Sequence, residues 1–396
     1  MTRNWEFSRR GFIAAGGVAT LTGLARGQEG VGRTAPAEVG DWIQHSEMPN
    51  NREPPLPRLV ESWITPVDRF YVRSHAANPE IDPAAYRLQV DGLVDRPLSL
   101  SLEQLRGDFP QVEVVATLTC AGNRRYEHSR VRKIDGVPWR EGAVGNARWG
   151  GVRLSDVLAA AGARSEARHI WFDGLDRIQR SSGEVQFGAS IPIGKTGDEA
   201  GSPGAIICTS MNGQPLTADH GFPVRTVVPG YIGARSVKWL GRVHVSDHES
   251  PNHYQQNDYK LLGSADPLES AEAPAILRFP INAVICVPTA GATISAAGGP
   301  LRVAGYALPP GRPGVVIDRV EVSTDGGNTW LPTRLSEQSQ SMCWRLWQTA
   351  VEVPAGTAGL VVRAIASDGT VQPTAVDWNL KGYLYNAQHR VAVVPG

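Results

Sequence analysis

The pattern of hydrophobic and polar positions divides the chain into a mixed first part and a β-rich last part. Residues Tyr86–Asp91 and His169–Asp173 alternate as half-buried strands do. The runs Ser101–Leu105 and Ser155–Ala161 each open with a serine that is suited to cap a helix. No long alternation of strands with helices follows, so this part is predicted to have an α+β fold.

The last part of the chain has the pattern of a small antiparallel β-structure. Val315–Val322 alternates, Asp325–Asn328 is typical of a hairpin turn, and Leu360–Ala366 runs into a second turn at Asp368-Gly369. Strands separated by turn signals every roughly 8–12 residues predict an immunoglobulin-like β-sandwich. The pattern alone does not say which immunoglobulin-like module this is.

Shifts in composition divide the chain further. Residues 28–53 are rich in Gly, Pro and polar residues and predict an extended N-terminal arm. A first folded domain is expected over residues 54–263. A Pro/Ala/Glu-rich linker follows over 264–274, and the β-sandwich is expected over 275–396.

The N-terminus has the features of an export signal. Ser8-Arg9-Arg10-Gly-Phe-Ile precedes a mildly apolar stretch, and Ala25-Arg-Gly27 is a small-residue cleavage neighbourhood. We therefore expect residues 1–27 to be a twin-arginine signal peptide and the mature protein to be periplasmic. That route carries folded proteins, which suits an enzyme that receives its cofactor before export. The apolar stretch is too short and too Gly-rich for a membrane span, and no other segment resembles one.

Charge and cysteine spacing exclude several functional classes. The chain has 39 Lys and Arg against 39 Asp and Glu, and no basic run that would favour nucleic acid. Four widely separated cysteines exclude a zinc ribbon, a redox Cys-x-x-Cys pair and a covalent haem attachment motif. A dinucleotide-binding glycine fingerprint after a strand is also missing. We therefore expect no haem and no flavin.

The segment with the strongest chemical signal is the loop that contains Cys120. The apolar run Val112–Thr119 predicts a buried strand that delivers this thiol into a Gly-containing loop, and Arg124 and Arg125 follow. Nearby positive charge favours the thiolate, the form that binds a metal or attacks an electrophile. A lone cysteine is more often an inert buried residue. A third interpretation is a hydrolase nucleophile with His128 as its base, which the spacing permits.

Further motifs support the metal interpretation. In chain order they are Phe70–His75, Cys120–Arg125, His220–Arg225 with its continuation to Lys238, Asn257–Lys260, Ser323–Trp330, Trp344–Trp347 and Trp378–Gly382. Together they resemble the sulfite oxidase family of molybdenum enzymes, in order and in spacing, over roughly residues 40–396. The resemblance implies a molybdopterin-binding catalytic domain over residues 54–263, followed by an immunoglobulin-like dimerisation domain.

The resemblance also implies a cofactor and the residues that bind it. One molybdenum per chain would be held by a pterin cofactor and by one protein ligand, Cys120. The residues that match the family's cofactor contacts are Tyr71, Val72, Arg73, Ser74, His75, Asp176, His220, Arg225, Ser236, Val237 and Lys238. Among these, Arg225 and Lys238 suit the pterin phosphate, and Asp176 and His220 suit the ring. Ser74 stands where the family often has Asn.

The substrate implied by the resemblance is sulfite, an anion that needs several converging cations. Arg73 and Arg125 match the substrate arginines of the family, and Tyr259 matches its active-site tyrosine. Lys381 stands where the animal and plant enzymes have an arginine. Lysine keeps the charge but loses the planar fork of the guanidinium, which affects affinity and selectivity.

The implied activity is oxidation of sulfite to sulfate by oxygen-atom transfer. We expect the electrons to pass to a separate c-type cytochrome, and the protein to be a homodimer through residues 275–396. An alternative within the family is a sulfane dehydrogenase subunit that acts on protein-bound sulfur. A periplasmic methionine-sulfoxide reductase of related fold would lack the C-terminal β domain. A β-sandwich adhesin with an inert first domain is a further alternative, which loss of metal without loss of partner binding would support.

Overall fold

The structure, a computed structural model, describes residues 37–39, 41–294, 299–354 and 356–395. The expected export signal, residues 1–27, and the beginning of the expected arm, residues 28–36, lie outside the described residues. Within the described ranges, no helix is both long and apolar enough to cross a membrane.

The first part of the chain combines β-sheets with short helices. Its strands are β1 (Ala37–Val39), β2 (Trp42–Ser46), β3 (Asn51–Glu53), β4 (Val72–Arg73), β5 (Leu88–Gly92), β6 (Leu98–Leu100), β7 (Gln111–Thr119), β8 (Val144–Arg153), β9 (His169–Gly174), β10 (Ile178–Arg180), β11 (Gly183–Val185), β12 (Gly188–Pro192), β13 (Ile206–Met211), β14 (Gln214–Pro215), β15 (Arg225–Val227) and β16 (Leu240–Ser246). Its helices are α1 (Leu56–Leu59), α2 (Leu102–Gly107), α3 (Arg125–Val131), α4 (Leu154–Ala161) and α5 (Pro267–Glu272), with 3₁₀ turns at Val67–Arg69, Ile193–Thr196, Ala218–His220 and Gly233–Arg235 and a π-helical turn at Tyr254–Asp258.

Two five-stranded sheets organise this domain. One has the order β12-β9-β16-β5-β6, and the other has the order β14-β13-β8-β7 with β15 also paired to β13. β16 and β5 pair in parallel, whereas β7 and β8 form a long antiparallel ladder from Gln111↔Val152 to Thr119↔Val144. The predicted α+β fold is confirmed, and the β7–β8 ladder fixes where the chain leaves the sheet at Cys120.

Of the two serines that were predicted to cap helices, only Ser101 does so. Ser101 forms a full capping box with Gln104 at the start of α2, as expected. Ser155 does not cap α4, which begins one residue earlier, at Leu154. The backbone amide of Leu154 donates to the carbonyl of Ala205 at 3.0 Å. A neighbouring segment therefore satisfies the amide at this helix start, and no serine cap is needed.

The segment expected as an extended arm belongs to the first domain from residue 41 onward. β2 and β3 join β1 and β4 in a four-stranded sheet, in which Asn51 pairs with Arg73. Glu53 is fully buried, and its carboxylate accepts from the backbone amides of Arg140 and Gly142 at 2.7 and 2.6 Å. The domain therefore extends N-terminal of Pro54, where the sequence suggested that it begins.

The last part of the chain is a sandwich of two sheets. Its strands are β17 (Asn282–Val287), β18 (Ala292–Ile294), β19 (Leu301–Leu308), β20 (Ile317–Ser323), β21 (Leu331–Pro332), β22 (Arg334–Leu335), β23 (Arg345–Val351), β24 (Gly359–Ala366) and β25 (His389–Pro395). The sheets have the orders β17-β19-β23-β22 and β18-β25-β24-β20-β21. Buried side chains of both sheets form one core between them, as expected for the predicted sandwich.

The two domains share a second apolar core next to Cys120. It joins Ala121 and Tyr259 of the first domain to Tyr306 and Trp344 of the sandwich. The indole N–H of Trp63 donates to the carbonyl of Trp344 at 3.1 Å, and that of Trp344 donates to the carbonyl of Trp63 at 2.9 Å. The sandwich is therefore packed directly behind the cysteine loop.

Candidate active site

Cys120 lies where β7 ends and faces a cavity in the first domain. Its backbone amide donates to the carbonyl of Ala143 at 2.9 Å, which keeps the turn attached to the end of the β7–β8 ladder. A Cβ atom at Gly122 would lie 2.8 Å from the guanidinium of Arg125, so a larger residue there would require that side chain to shift. The other three cysteines are buried, and all four thiols are free.

Two opposing effects act on the pKa of the Cys120 thiol. Burial raises its pKa, and the charges of Arg73 and Arg125 act against that rise. Tyr71 lies close enough for its pKa to respond to Cys120. A bound cation would reinforce the two arginines and favour the thiolate further, so the site is suited to a thiolate that forms on binding a metal.

The cavity collects most of the residues selected from the sequence. Its lining includes Tyr71, Arg73, Ser74, His75, Cys120, Asp176, His220, Arg225, Ser236, Lys238 and Tyr259. These residues come from segments spread over nearly 190 positions of the chain. Val72 and Val237 do not line the cavity; both are buried beside it and hold their neighbours in place through backbone contacts.

One side of the cavity is basic and deeply buried. The guanidinium of Arg225 donates to the carbonyls of His220 and Ser236 at 3.1 and 3.0 Å, and it forms no ion pair with any described residue. Lys238 donates to the hydroxyl of Ser74 at 2.8 Å and to the carbonyl of Asp219 at 2.9 Å. Ser74, at the position where the family often has Asn, therefore keeps a polar contact to this lysine.

Burial makes these cations costly in the absence of an anion. It lowers the pKa of Arg225 to about 10 and, together with the charge of Arg225, that of Lys238 to about 7. The pKa of His220 falls to about 3 because of burial and the charges of Lys238 and Arg225. Buried charges without partners are strongly unfavourable, so this side fits a phosphate group. The residues present thus fit a phosphate-bearing pterin cofactor.

The opposite side carries the groups expected to meet the substrate. Tyr259 Oη lies 3.3 Å from His75 Nε2, and Arg73 donates to Asn51 Oδ1 at 3.2 Å and to the carbonyl of Ser74. Burial, followed by the charge of Arg73, lowers the pKa of His75 well below its ordinary value. Burial raises the pKa of Tyr259 well above its ordinary value. At neutral pH His75 is therefore neutral and Tyr259 keeps its proton.

Two expected substrate cations lie outside the cavity lining. Arg125 Nε donates to the carbonyl of Lys381 at 2.9 Å, and its Nη1 donates to the carbonyl of Val137 at 2.9 Å. The Lys381 ammonium forms an ion pair with Asp258 at 3.0 Å. Arg125 still acts on Cys120 through its charge. Lys381 differs from the expectation, because its charge is compensated by a carboxylate.

Sequence reasoning missed several residues of this region. Asp258 directly precedes Tyr259 in the Asn257–Lys260 motif, so the motif itself indicated that Asp258 lies near the site. Trp139 is fully buried beside Gly122, and its indole N–H has no partner among the described residues. Gly233 lines the cavity where a Cβ atom would lie 2.8 Å from the Tyr71 hydroxyl. Trp139 lies outside the motifs, and nothing in the sequence distinguished Gly233 from the other glycines of its motif.

The hydrolase interpretation finds no support in the geometry. His128 is buried in α3, where its Nε2 lies 3.4 Å from Asn379 Nδ2 and its ring packs against Tyr385. His128 does not line the cavity and forms no hydrogen bond with Cys120 in the described structure. His128 therefore cannot serve as the base that this nucleophilic mechanism assigned to it.

Comparisons with known proteins agree with the arrangement. The family model described as oxidoreductase molybdopterin binding domain matches residues 75–254, and that described as Mo-co oxidoreductase dimerisation domain matches residues 273–395. The chain is 46% identical to the sulfite oxidase of Gallus gallus over 361 residues, which are 87% of this chain and 76% of that protein. It is 44% identical to the mitochondrial sulfite oxidase of Homo sapiens over 364 residues, and it spans 65% of the length of that protein.

Among solved structures, the fold is similar to that of the sulfane dehydrogenase SoxCD from Paracoccus pantotrophus. The TM-score is 0.73 and the sequence identity is 27%, with 90% of this chain and 87% of that chain covered. Both domains of the present chain are therefore within the shared architecture.

Proposed function

The chain belongs to the sulfite oxidase family, and from this premise we propose that it is a molybdenum enzyme that oxidises sulfite to sulfate. One observation carries the proposal. The thiol of Cys120 faces a cavity, under the charges of Arg73 and Arg125, and the far side of that cavity buries Arg225 and Lys238 without a carboxylate partner. A soft metal ligand and a phosphate-binding pocket in one cavity are what a molybdopterin cofactor needs.

The roles of the residues follow from their positions. Cys120 would be the protein ligand of the metal, Arg225 and Lys238 would bind the phosphate, and Asp176 and His220 would bind the pterin ring. When bound, the cofactor would supply oxygen-atom transfer to sulfite and accept two electrons. In the balanced reaction, sulfite and water give sulfate, two protons and two electrons.

The other side of the cavity would bind and orient the anion. Arg73 supplies a positive charge at the lining, and Tyr259 can donate its phenolic proton to an oxygen of the substrate. Neutral His75, with Nε2 at 3.3 Å from Tyr259 Oη, can hold that hydroxyl in place through a hydrogen bond.

Three further features belong to the same proposal. The electrons would pass to a separate c-type cytochrome. The protein would be exported in folded form and act in the periplasm. The C-terminal sandwich would form a homodimer, in line with the dimerisation model that matches residues 273–395.

A second candidate is a sulfane dehydrogenase that acts on protein-bound sulfur. The similarity to SoxCD over 90% of this chain favours it specifically. The two candidates differ in substrate size, so free sulfite discriminates between them. Turnover of sulfite supports the first proposal, whereas a molybdenum-loaded protein that leaves sulfite unchanged supports the second.

The proposal is tested with Cys120→Ser and a matched control, Cys343→Ser. Cys343 is buried, and its thiol lies 3.2 Å from the carbonyl of Val115, where a serine hydroxyl can donate in the same way. We expect Cys120→Ser to fold but to lose sulfite-dependent reduction of ferricyanide, because a serine is protonated at neutral pH and is a harder ligand. Cys343→Ser keeps the activity. Turnover at the wild-type rate in Cys120→Ser would exclude Cys120 as the metal ligand.

A further inference from the structure

The side of the cavity lined by His75 and Tyr259, here called its mouth, has fewer free cations nearby than the sequence suggested. The Lys381 ammonium is paired with Asp258 at 3.0 Å, and the other oxygen of that carboxylate lies 3.6 Å from His253 Nε2. Lys381 therefore compensates a carboxylate of the protein and contributes little net charge toward an incoming anion. A doubly charged substrate would need another cation here.

Arg180 is a cation at this mouth that no motif pointed to. It ends β10, where it pairs with Gly183 of β11 in a two-stranded hairpin. Ile178 of the same strand is buried in the apolar cluster that contains Tyr254 and Tyr259. The hairpin is thereby anchored to the tyrosines around the cavity, and the position of Arg180 is set by packing.

The guanidinium of Arg180 is separated from the cavity lining by the ring of Tyr254. Its central carbon is 5.7 Å from the centre of the Tyr254 ring, and that ring is 4.6 Å from the ring of His75. His75 lines the cavity and contacts the Tyr259 hydroxyl. Arg180 is half-buried, and in the described part of the chain it forms no ion pair with a carboxylate. The other arginine of the hairpin, Arg177, is paired with Glu184.

The electrostatics of the neighbouring groups agree with this placement. The pKa of His75 is lowered by burial and then by the charges of Arg73, Lys238 and Arg180. The pKa of Tyr254 is raised by burial, against a hydrogen bond and a charge from Arg180, and it also responds to Asp258 and Arg73. The positive charges of Arg180 and Arg73 and the negative charge of Asp258 all act on Tyr254.

We propose that Arg180 binds the substrate anion at the mouth of the cavity, where it supplies the free positive charge that Lys381 does not. The inference rests on the proposed function, since it takes the anion to be sulfite and its product sulfate. Arg180 lies outside the cysteine loop and the cofactor pocket. It therefore determines the affinity for the anion and leaves the chemical step unchanged.

The test compares Arg180→Gln with Arg180→Lys and with a control, Arg177→Gln, in the molybdenum-loaded protein. Two readouts are needed: KM and kcat for sulfite, and the dissociation constant for sulfate from calorimetric titration without turnover. We expect Arg180→Gln to raise both KM and the sulfate dissociation constant about five- to tenfold, with kcat unchanged within about twofold. Arg180→Lys keeps the charge and recovers most of the affinity. Arg177→Gln, whose side chain is 78% exposed and already paired, behaves as wild type.

The outcomes separate this inference from the proposed function. If the wild-type protein oxidises sulfite and Arg180→Gln matches Arg177→Gln in both readouts, the role of Arg180 is refuted alone. Equal losses in Arg180→Gln and Arg180→Lys would indicate a structural role and would also overturn it. If the wild-type protein does not oxidise sulfite, the proposed function fails, and the sulfate titrations of the same variants still decide the role of Arg180. A wild-type protein that binds no sulfate would count against both.

Discussion

Arg225 is a buried cation and Lys238 a half-buried one, and the described fold leaves both without a carboxylate within ion-pair distance. Their hydrogen bonds go to backbone carbonyls and to the hydroxyl of Ser74. An uncompensated buried charge destabilises the protein that carries it, and it stabilises a complex with an anion. At the scale of single residues, the two side chains therefore favour ligand binding over the stability of the empty fold.

Because the charge of Arg225 favours anion binding but destabilises the empty fold, Arg225→Met should have opposite effects on the cofactor-free and the cofactor-bound protein. Methionine fills a similar volume without charge, so the cofactor-free variant should unfold at the same temperature as the wild type or higher. Cofactor retention should fall about tenfold or more, because the phosphate loses a charged partner. Thermal unfolding of the empty protein and molybdenum content after purification measure the two effects. Wild-type molybdenum content in the variant would show that Arg225 does not bind the phosphate.

The ion pair of Lys381 with Asp258 predicts a specific double-mutant result. Lys381→Met should raise the KM for sulfite about tenfold, because Asp258 is then left to repel the anion. Asp258→Asn should lower KM, since it frees Lys381. The double variant should return to within about threefold of the wild-type KM. A double variant as impaired as Lys381→Met would instead show that Lys381 contacts the substrate directly.

Residue identities at the site were readable from motifs, whereas side-chain directions were not. Cys120, Arg73 and Tyr259 lie in short motifs whose backbone carries them to the cavity. The direction of the Lys381 side chain depends on Asp258, which is 123 positions away in the sequence. Arg180 was missed because a single arginine in a hairpin looks like any exposed strand residue. Only the packing of Ile178 brings it to the mouth.

At the scale of elements, the loop from Cys120 to Arg125 is held by the C-terminal domain as much as by its own strand. The backbone amide of Leu384 donates to the carbonyl of Ala121 at 2.8 Å, and the carbonyl of Lys381 accepts from Arg125. The Tyr306 hydroxyl of β19 accepts from Asn123 Nδ2 at 3.3 Å and donates to the carbonyl of Glu141 at 2.8 Å. The sandwich thus helps to hold the loop of Cys120, the proposed metal ligand.

Removing the Tyr306 hydroxyl tests this support. Tyr306→Phe leaves two buried polar groups without their partner and should reduce the free energy of unfolding by about 1–3 kcal/mol. The Cys120 loop should also loosen, which faster exchange of its amide hydrogens would report. Tyr231→Phe is the control, since Tyr231 is a buried residue whose hydroxyl forms no hydrogen bond with any described residue. Equal effects of the two substitutions would contradict a specific role of Tyr306.

Elements with a clear period could be predicted, and those fixed by tertiary contacts could not. β7 was predicted from its apolar run and α2 from its capping residues. β2 and β3 were missed, because their segment is rich in polar residues and pairs with β4 around the buried Glu53. The π-helical turn Tyr254–Asp258 is irregular, and it sets the positions of both Asp258 and Tyr259.

At the scale of the whole molecule, the two domains behave as one structural unit. Beyond the reciprocal bonds of Trp63 and Trp344, the Arg124 guanidinium is fully buried and donates to Asn282 Oδ1 and to the carbonyl of Ala387, both in the sandwich. Glu141 of the first domain meets His389 of the sandwich at 3.2 Å. These contacts predict that the domains unfold together.

The Glu141–His389 contact makes the stability of the interface depend on pH. Burial alone would raise the pKa of Glu141, but hydrogen bonds and charge from His389 and a hydrogen bond from Tyr126 bring it down to about 2. A carboxyl group whose pKa is lower in the folded state stabilises the protein fully above its ordinary pKa of 4.5. That contribution is lost as the pH falls from 4.5 toward 2.

Wild-type protein and Glu141→Gln should therefore differ in a pH-dependent way. At pH 7 the wild type should have a free energy of unfolding higher by about 2 kcal/mol, and the difference should shrink toward pH 3. Urea unfolding of both proteins at the two pH values provides the comparison. A difference that is the same at pH 7 and pH 3 would show that the ionised carboxylate is not what stabilises the interface.

The order and type of the two domains could be predicted from the sequence, but their contact could not. Alternating strands and turn signals indicated the sandwich. A mixture of strand-like and helix-like hydrophobic patterns indicated the α+β first domain. The contact depends on pairs such as Trp63 and Trp344, which are 281 positions apart and have no local signature. An apolar residue in a pattern does not reveal which domain it packs against.

The central claim is that Cys120 holds molybdenum in this cavity, and X-ray absorption at the molybdenum edge tests it most directly. The measurement counts the sulfur atoms bound to the metal in the wild type, in Cys120→Ser and in the Cys343→Ser control. We predict one sulfur fewer in Cys120→Ser than in the other two proteins. The same sulfur count in all three, or a wild-type protein without molybdenum from a host that makes the cofactor, would contradict the claim.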